Sequence, residues 1–182
     1  MKRVLIPLAP GFEEIEAITV IDILRRSGAR VYVAGIVEGT IEGSRGIKLI
    51  PDDSIDNINI EKFDLIILPG GQPGTNNLDN DPRVTSLLKK MGDQNKLIGA
   101  ICAAPIILEK NGLLKKRKRT SHPSVKKELS GEYYVEERVV VDDNIITSRS
   151  PGTAMEFAFK LVEILFGEDR AILVNKGVLA NI

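Results

Sequence analysis

Short apolar runs alternate with helical patterns along this chain, and that alternation constrains its fold more than any other feature. "RVLIPLA" (residues 3–9) reads as a strand. "EEIEAITVIDILRRSG" follows as a helix that stops at Gly28, a favoured helix-ending residue. "RVYVAGI" is a second strand. "FDLIILPGG" is a buried strand running into a glycine-rich turn. "DPRVTSLLKKMG" is a helix with Asp81 as its cap and Pro82 at its first position. "KLIGAI" is the next strand, and "SPGTAMEFAFKLVEILFG" a later helix. Such alternation builds a doubly wound, mostly parallel sheet sandwiched by helices. Two stretches depart from it. "GTIEGSRGIKLIP" is glycine-punctuated and reads as a small hairpin or excursion, and "YYVEERVVVDDNIITS" as an antiparallel hairpin turning at Asp142–Asn144. The end, "EDRAILVNKGVLANI", reads as helix or extended tail. No long linker, repeat or low-complexity tract interrupts the pattern, so a single α/β domain is expected over residues 1–182.

Composition removes several function classes. Lys+Arg and Asp+Glu balance at 25 each, which gives no general electrostatic attraction to nucleic acid or to anionic membrane. There is no Trp, and aromatics are 4% of the chain, too few for base-stacking platforms. "KKRKR" (residues 115–119) is one short basic run, read as a solvated loop. No apolar stretch has the length of a membrane span. "MKRVLIPLAPG" lacks the long apolar region and cleavage site of a signal peptide. A single cysteine cannot form an intramolecular disulfide, which fits a reducing cytoplasm. One Cys and one His argue against a dedicated zinc site.

In doubly wound sheets, sites lie at the carboxyl ends of the strands. "APGFEEIE", "LPGGQPG" and "AICAAP" occupy such ends. The last holds Cys102, at the joint between a strand and a helix. That is the geometry of a nucleophile elbow, where sharp turning exposes the side chain. A helix start supplies free N–H groups that favour thiolate, so a lowered thiol pKa is expected. The plainer alternative is that Cys102 is a small buried hydrophobe. "EEIE" places three carboxylates in one helical turn, where acidic residues commonly just complement the macrodipole. Ala17, Val20, Ile21 and Leu24 mark the apolar face, with Glu13 in line with it and Glu16 at its edge. Pattern alone does not choose between them. Ile15 lies on the opposite side, in a row with Thr19, Asp22 and Arg26. "LPGGQPG" lacks the spacing of a phosphate loop and reads as a tight turn.

Five stretches occur in order from about Arg3 to Leu165: "APGFEEIE", "LPGG", "AICAAP", "SHP" and "TSRSPGT". Together they resemble the DJ-1/ThiJ/PfpI superfamily, and most of all its DJ-1 (parkinsonism-associated deglycase) branch. The resemblance implies a flavodoxin-like fold. It implies that Cys102 is a nucleophile or redox-sensing thiol, with Glu16 hydrogen-bonded to the sulfur. A carboxyl held dry against sulfur should have a raised pKa. Gly70 and Gly71 would line the pocket, and the Gly71 and Ala103 amides would steady an oxyanion. His122, twenty residues after Cys102, matches the family's histidine. Arg26, Arg45 and Arg149 match arginines near the pocket that bind anions or keep the thiol ionised. Family members pack the first helix at a dimer interface, so a homodimer with Ile15 in or near the contact is expected.

The activity implied is that of a glyoxalase or deglycase with a role in protection from oxidative stress. It acts on small dicarbonyls or glycated proteins and needs neither cofactor nor metal. Two alternatives use the same thiol: a non-enzymatic redox sensor or chaperone, and a PfpI-like cysteine peptidase. The peptidase relatives carry His directly after the cysteine. Here that place is Ala103, which weakens the peptidase alternative.

Overall fold

The computed structural model describes residues 1–129 and 131–180. Among the described residues nine strands form: β1 (Arg3–Leu8), β2 (Arg30–Gly35), β3 (Ile41–Glu42), β4 (Lys48–Leu49), β5 (Asp53–Ser54), β6 (Leu65–Leu68), β7 (Leu97–Ile101), β8 (Val139–Asp142) and β9 (Ile145–Ser148). Seven of them make one sheet in the order β5-β2-β1-β6-β7-β9-β8. All its pairings are parallel except that of β8 with β9, where Val139 faces Ser148. The helices are α1 (Glu14–Arg26), α2 (Gly74–Asp79), α3 (Pro82–Asp93), α4 (Pro105–Lys110), α5 (Lys126–Leu129), α6 (Ala154–Phe166) and α7 (Glu168–Val178).

Strand residues alternate between two cores, as a sheet covered on both faces requires. Val4, Ile6, Leu8, Leu65 and Ile67 join one core, with Val20 and Leu24 of α1 and Phe157 and Leu161 of α6. Leu5, Ile66 and Leu68 join the other, with Leu88 and Met91 of α3 and Ile107 of α4. Each of these large side chains is at most 1% exposed, and such burial contributes about 1.5–3 kcal/mol apiece. The winding reverses between β1 and β6, because the chain passes from β1 to β2 on one side and later resumes at β6 on the other. Ligands of open α/β sheets bind at such a reversal, beyond the carboxyl ends of the strands. The loops after β1, β6 and β7 all emerge there.

Local chemistry places the helices as the sequence reading expects. The Asp81 carboxylate accepts from the Arg83 amide at 2.9 Å, and Pro82 opens α3. Gly28 takes a φ of 92° just beyond α1. Both hairpins form: β3 pairs with β4, and β8 turns into β9 through Asp143 at φ 53°. The second hairpin is shorter than the sequence suggests. Tyr134 leaves it to make an isolated parallel bridge with Arg119. The basic run is also more embedded than a solvated loop. Arg119 is buried and donates through Nε to the Leu129 carbonyl, while Arg117 pairs with Asp143. Among the described residues no helix is long and apolar enough to cross a membrane, and no cluster of His, Cys, Asp and Glu could hold a metal ion.

Candidate active site

Cys102 directly follows β7, and its φ is 66°. This left-handed conformation is rare for a residue with a Cβ and stores strain on the order of 1–3 kcal/mol. Two backbone bonds hold it. The Cys102 amide donates to the Ser148 carbonyl at 3.0 Å, and the His122 amide donates to the Cys102 carbonyl at 2.8 Å. The thiol is thus clamped between the end of β9 and the segment entering the 123–125 turn, and remains partly exposed.

The three glutamates at the start of α1 take three separate tasks. Glu13 caps the helix, its Oε2 accepting from the Glu16 amide at 2.8 Å. Glu14 is buried and accepts from the Arg45 amide at 2.6 Å, the Ile47 amide at 3.3 Å and the Ser44 hydroxyl at 3.2 Å. It therefore ties the β3–β4 hairpin to α1. Glu16 is 0% exposed and lies against the Cys102 side chain. Its Oε2 accepts from the Gly70 amide at 2.8 Å, whereas Oε1 is buried without a conventional hydrogen-bond partner.

The glycine turn makes this closeness possible. A Cβ on Gly70 would stand 2.6 Å from the Cys102 Cβ and 2.7 Å from Glu16 Oε2. Gly71 adopts a φ of 94°, and its Cβ would sit 2.4 Å from the Glu13 amide nitrogen. Neither position has room for a side chain.

Burial raises the Glu16 carboxyl to about 7, opposed by its hydrogen bonds to Cys102 and the Gly70 amide. That agrees with the expected rise. The thiol differs from expectation. Burial pushes it up, the Glu16 charge pushes it further, and the Ala103 and Gly71 amides pull only partly against them. The lowered pKa read from a helix start does not arise, because α4 begins three residues later and spans only six. Burial outranks so short a dipole. The two amides expected to steady an oxyanion reach the sulfur itself. Thiol and carboxyl act as one unit that loses its first proton near pH 7. The first proton leaves Glu16 and the sulfur keeps the second, so the ionised Oε1, which has no other partner, is the acceptor to which the thiol can pass its proton.

The other residues singled out in the sequence are spread more widely. Ala103 is buried beside the thiol. The His122 ring turns to Ser124, with Nδ1 2.7 Å from its hydroxyl and accepting from its amide at 3.2 Å. His122 meets Cys102 through its backbone. With Arg138 and Arg149 it lines a cavity of about 340 Å³ beside the clamp. Arg149 donates through Nη1 to the Glu136 carbonyl at 3.2 Å. Arg45 is exposed on the hairpin and reaches the site's neighbourhood by its backbone bond to Glu14. Arg26 ends α1, ten residues and about 15 Å of helix beyond Glu16, and pairs with Asp22 at 2.7 Å. The structure does not bring it to the thiol of its own chain. Ile15 is 56% exposed and Ile18 40%. A cavity of about 650 Å³ between α6 and α7 includes neither Cys102 nor Glu16. Sequence reasoning missed Glu14 and the Ser148 carbonyl, since neither the hairpin clasp nor a main-chain acceptor leaves a sequence signal.

Residues 2–164 match the model of the DJ-1/PfpI family. The chain is 44% identical over 179 residues to Protein DJ-1 homolog A of Arabidopsis thaliana, covering 97% of this chain but spanning only 46% of that longer protein. It is 40% identical over 172 residues to Glutathione-independent glyoxalase DJR-1.2 of Caenorhabditis elegans, covering 93% of this chain and 91% of the relative. Oxidized DJ-1 of Toxoplasma gondii superposes with a TM-score of 0.95 at 38% identity, covering 98% of each chain. With a doubly wound sheet, a strained cysteine after β7 and a buried glutamate against it, this chain belongs to the DJ-1/PfpI family.

Proposed function

We propose that this protein is a cofactor-independent glyoxalase or deglycase that uses Cys102 as nucleophile and Glu16 as the proton-transfer group. The observation that carries the proposal is the Glu16 carboxyl, wholly buried against the thiol, poised near pH 7, with one oxygen free for a proton. A general acid–base group works best when its pKa lies near the working pH. The relative from C. elegans named as a glutathione-independent glyoxalase supports the same chemistry.

The steps follow from the pair. Cys102 thiolate adds to the aldehyde carbon of methylglyoxal, and the carbonyl oxygen takes the Glu16 proton. This gives a hemithioacetal with no change in oxidation state. Glu16, now ionised, removes the proton from that carbon, and the electrons move to the adjacent ketone. Protonation of the ketone carbon leaves a thioester of a 2-hydroxy acid. Water then hydrolyses the thioester, returning the thiol and releasing lactate. Overall one water is consumed per dicarbonyl, and no external oxidant or reductant enters. The same attack on an early glycation adduct of Cys, Lys or Arg would release the repaired side chain.

A protective role under carbonyl or oxidative stress, a cytoplasmic setting and a homodimer contacting through Ile15 belong to this proposal. A second reading, redox sensing by Cys102, is favoured by the two amides directed at a partly exposed sulfur, which suit a negatively charged oxidation product. The peptidase alternative finds no comparable support, since the His122 ring is engaged by Ser124.

The deciding experiment measures methylglyoxal consumption by wild type, Cys102→Ser and Glu16→Gln. Loss of activity in both variants is expected. Equal rates in all three remove the enzymatic proposal. Intact mass after peroxide treatment tests the sensor: absence of two added oxygens on Cys102 removes it.

A further inference from the structure

The cavity between α6 and α7 has a construction of its own. Glu156, Phe159, Lys160 and Glu163 of α6 line one side. Glu168, Ala171, Ile172 and Asn175 of α7 line the other. Both sets follow the spacing i, i+3, i+4, i+7, so each helix turns one complete stripe toward the same groove. Glu137, Arg138 and Val139 close it where the chain enters β8. Its volume of about 650 Å³ lies within the range of functional ligand pockets. Its floor is apolar: Phe159 is buried beneath it and Ile172 is 45% exposed beside it.

The rim is acidic. Five carboxylates line the groove, against Arg138 and Lys160. Both cations are already engaged. Arg138 donates through Nε to both Glu156 oxygens at 2.8 Å, and Lys160 pairs with Glu163. Glu136 pairs with Lys126. Among the described residues, no ion pair is found for Glu137 or Glu168. The groove therefore offers an apolar floor and uncompensated negative charge on its rim.

We infer that this groove is a docking site for an amphipathic peptide helix with basic flanks. Two facing stripes at helical spacing are what a third helix packs against, its apolar side chains on Phe159, Ala171 and Ile172. Charge complementarity selects lysine or arginine on its flanks, to meet Glu137 and Glu168. The inference is independent of the thiol chemistry, since neither Cys102 nor Glu16 lines the groove.

The test uses the full chain and a synthetic peptide of about fifteen residues, near the length at which isolated helices become viable. The peptide carries leucines on one face, lysines on its flanks and one tryptophan on the apolar face. The protein contains no Trp, so the emission reports the peptide alone. A saturable blue shift is expected, weakened on raising salt from about 0.05 M to about 0.5 M. Joint Glu137→Gln and Glu168→Gln substitution should weaken binding about tenfold, roughly threefold for each exposed pair. Ile172→Asp should abolish it, and a peptide with glutamates in place of the lysines should not bind. Circular dichroism checks that each variant folds. If Ile172→Asp does not fold, the glutamate pair, exposed on the surface, still decides. Absence of a saturable shift at millimolar protein overturns the inference. So does equal binding of the lysine and glutamate peptides, or equal binding by wild type and the double glutamate variant. A lower mass of the groove variants in light scattering would make a second copy of the chain the occupant, which also overturns it.

Discussion

Replacing Glu16 by Gln should remove the pH dependence of stability that the buried carboxyl contributes. The Glu16 carboxyl rises from 4.5 to about 7 on folding, chiefly through burial. A raised folded value means that the folded state resists ionisation. Its contribution is fully present below pH 4.5, declines as pH rises, and is exhausted once pH has passed 7. At about 1.4 kcal/mol for each pH unit, the decline amounts to about 3 kcal/mol. Glutamine has nearly the same shape and nothing to ionise, and its amide can still accept from Gly70. Urea denaturation at pH 5, 6, 7 and 8, at one protein concentration, measures the difference. Wild type and Glu16→Gln should be similar at pH 5 and diverge until the variant is the more stable by up to about 3 kcal/mol at pH 8. The catalytic rate moves the other way, because the variant cannot exchange the proton. Parallel stability curves for the two proteins would refute the reasoning and show that Glu16 ionises as easily folded as unfolded.

Glu14 should respond with the opposite sign. Burial pushes its carboxyl up, but the Arg45 and Ile47 amides and the Ser44 hydroxyl outweigh this and hold it below 4.5. Its contribution is present above pH 4.5 and lost as pH falls through the lowered value, so Glu14→Gln should flatten the acid limb of a pH titration of melting temperature. An unchanged acid limb would remove the clasp. Gly70→Ala should cost about 1–3 kcal/mol in denaturant titrations and lower methylglyoxal turnover, because its Cβ would press on Cys102 and Glu16. A variant as stable and active as wild type would show that the turn can yield. Light scattering of wild type at micromolar concentration should give a dimer mass, and Ile15→Asp a monomer mass. A monomeric wild type would remove the homodimer.

The three glutamates show where sequence reasoning ends. Glu13, Glu14 and Glu16 lie within one turn, and helical periodicity, with Glu13 in line with the apolar face and Glu16 at its edge, does not choose the one that meets the thiol. Their tasks are assigned by what packs against each: the helix's own amide for Glu13, the β3–β4 hairpin for Glu14, the Gly70 turn and the thiol for Glu16. Gly70 lies 54 residues from Glu16 in the chain, and Cys102 farther still. His122 shows the same limit, because a neighbour two residues on captures the ring that spacing alone would offer to Cys102.

The sequence by itself determined the winding of strands and helices, the helix ends at Asp81 and Gly28, the β8–β9 hairpin turn and the place of Cys102 at the end of a strand. These follow from local chemistry: apolar periodicity, capping side chains, and turn residues that tolerate positive φ. Only the tertiary structure decided the protonation of the thiol, which carboxylate meets it, and the distance of Arg26 from it. Those properties depend on desolvation and on groups brought together from distant segments, and neither is written in the spacing of residues along one strand or helix.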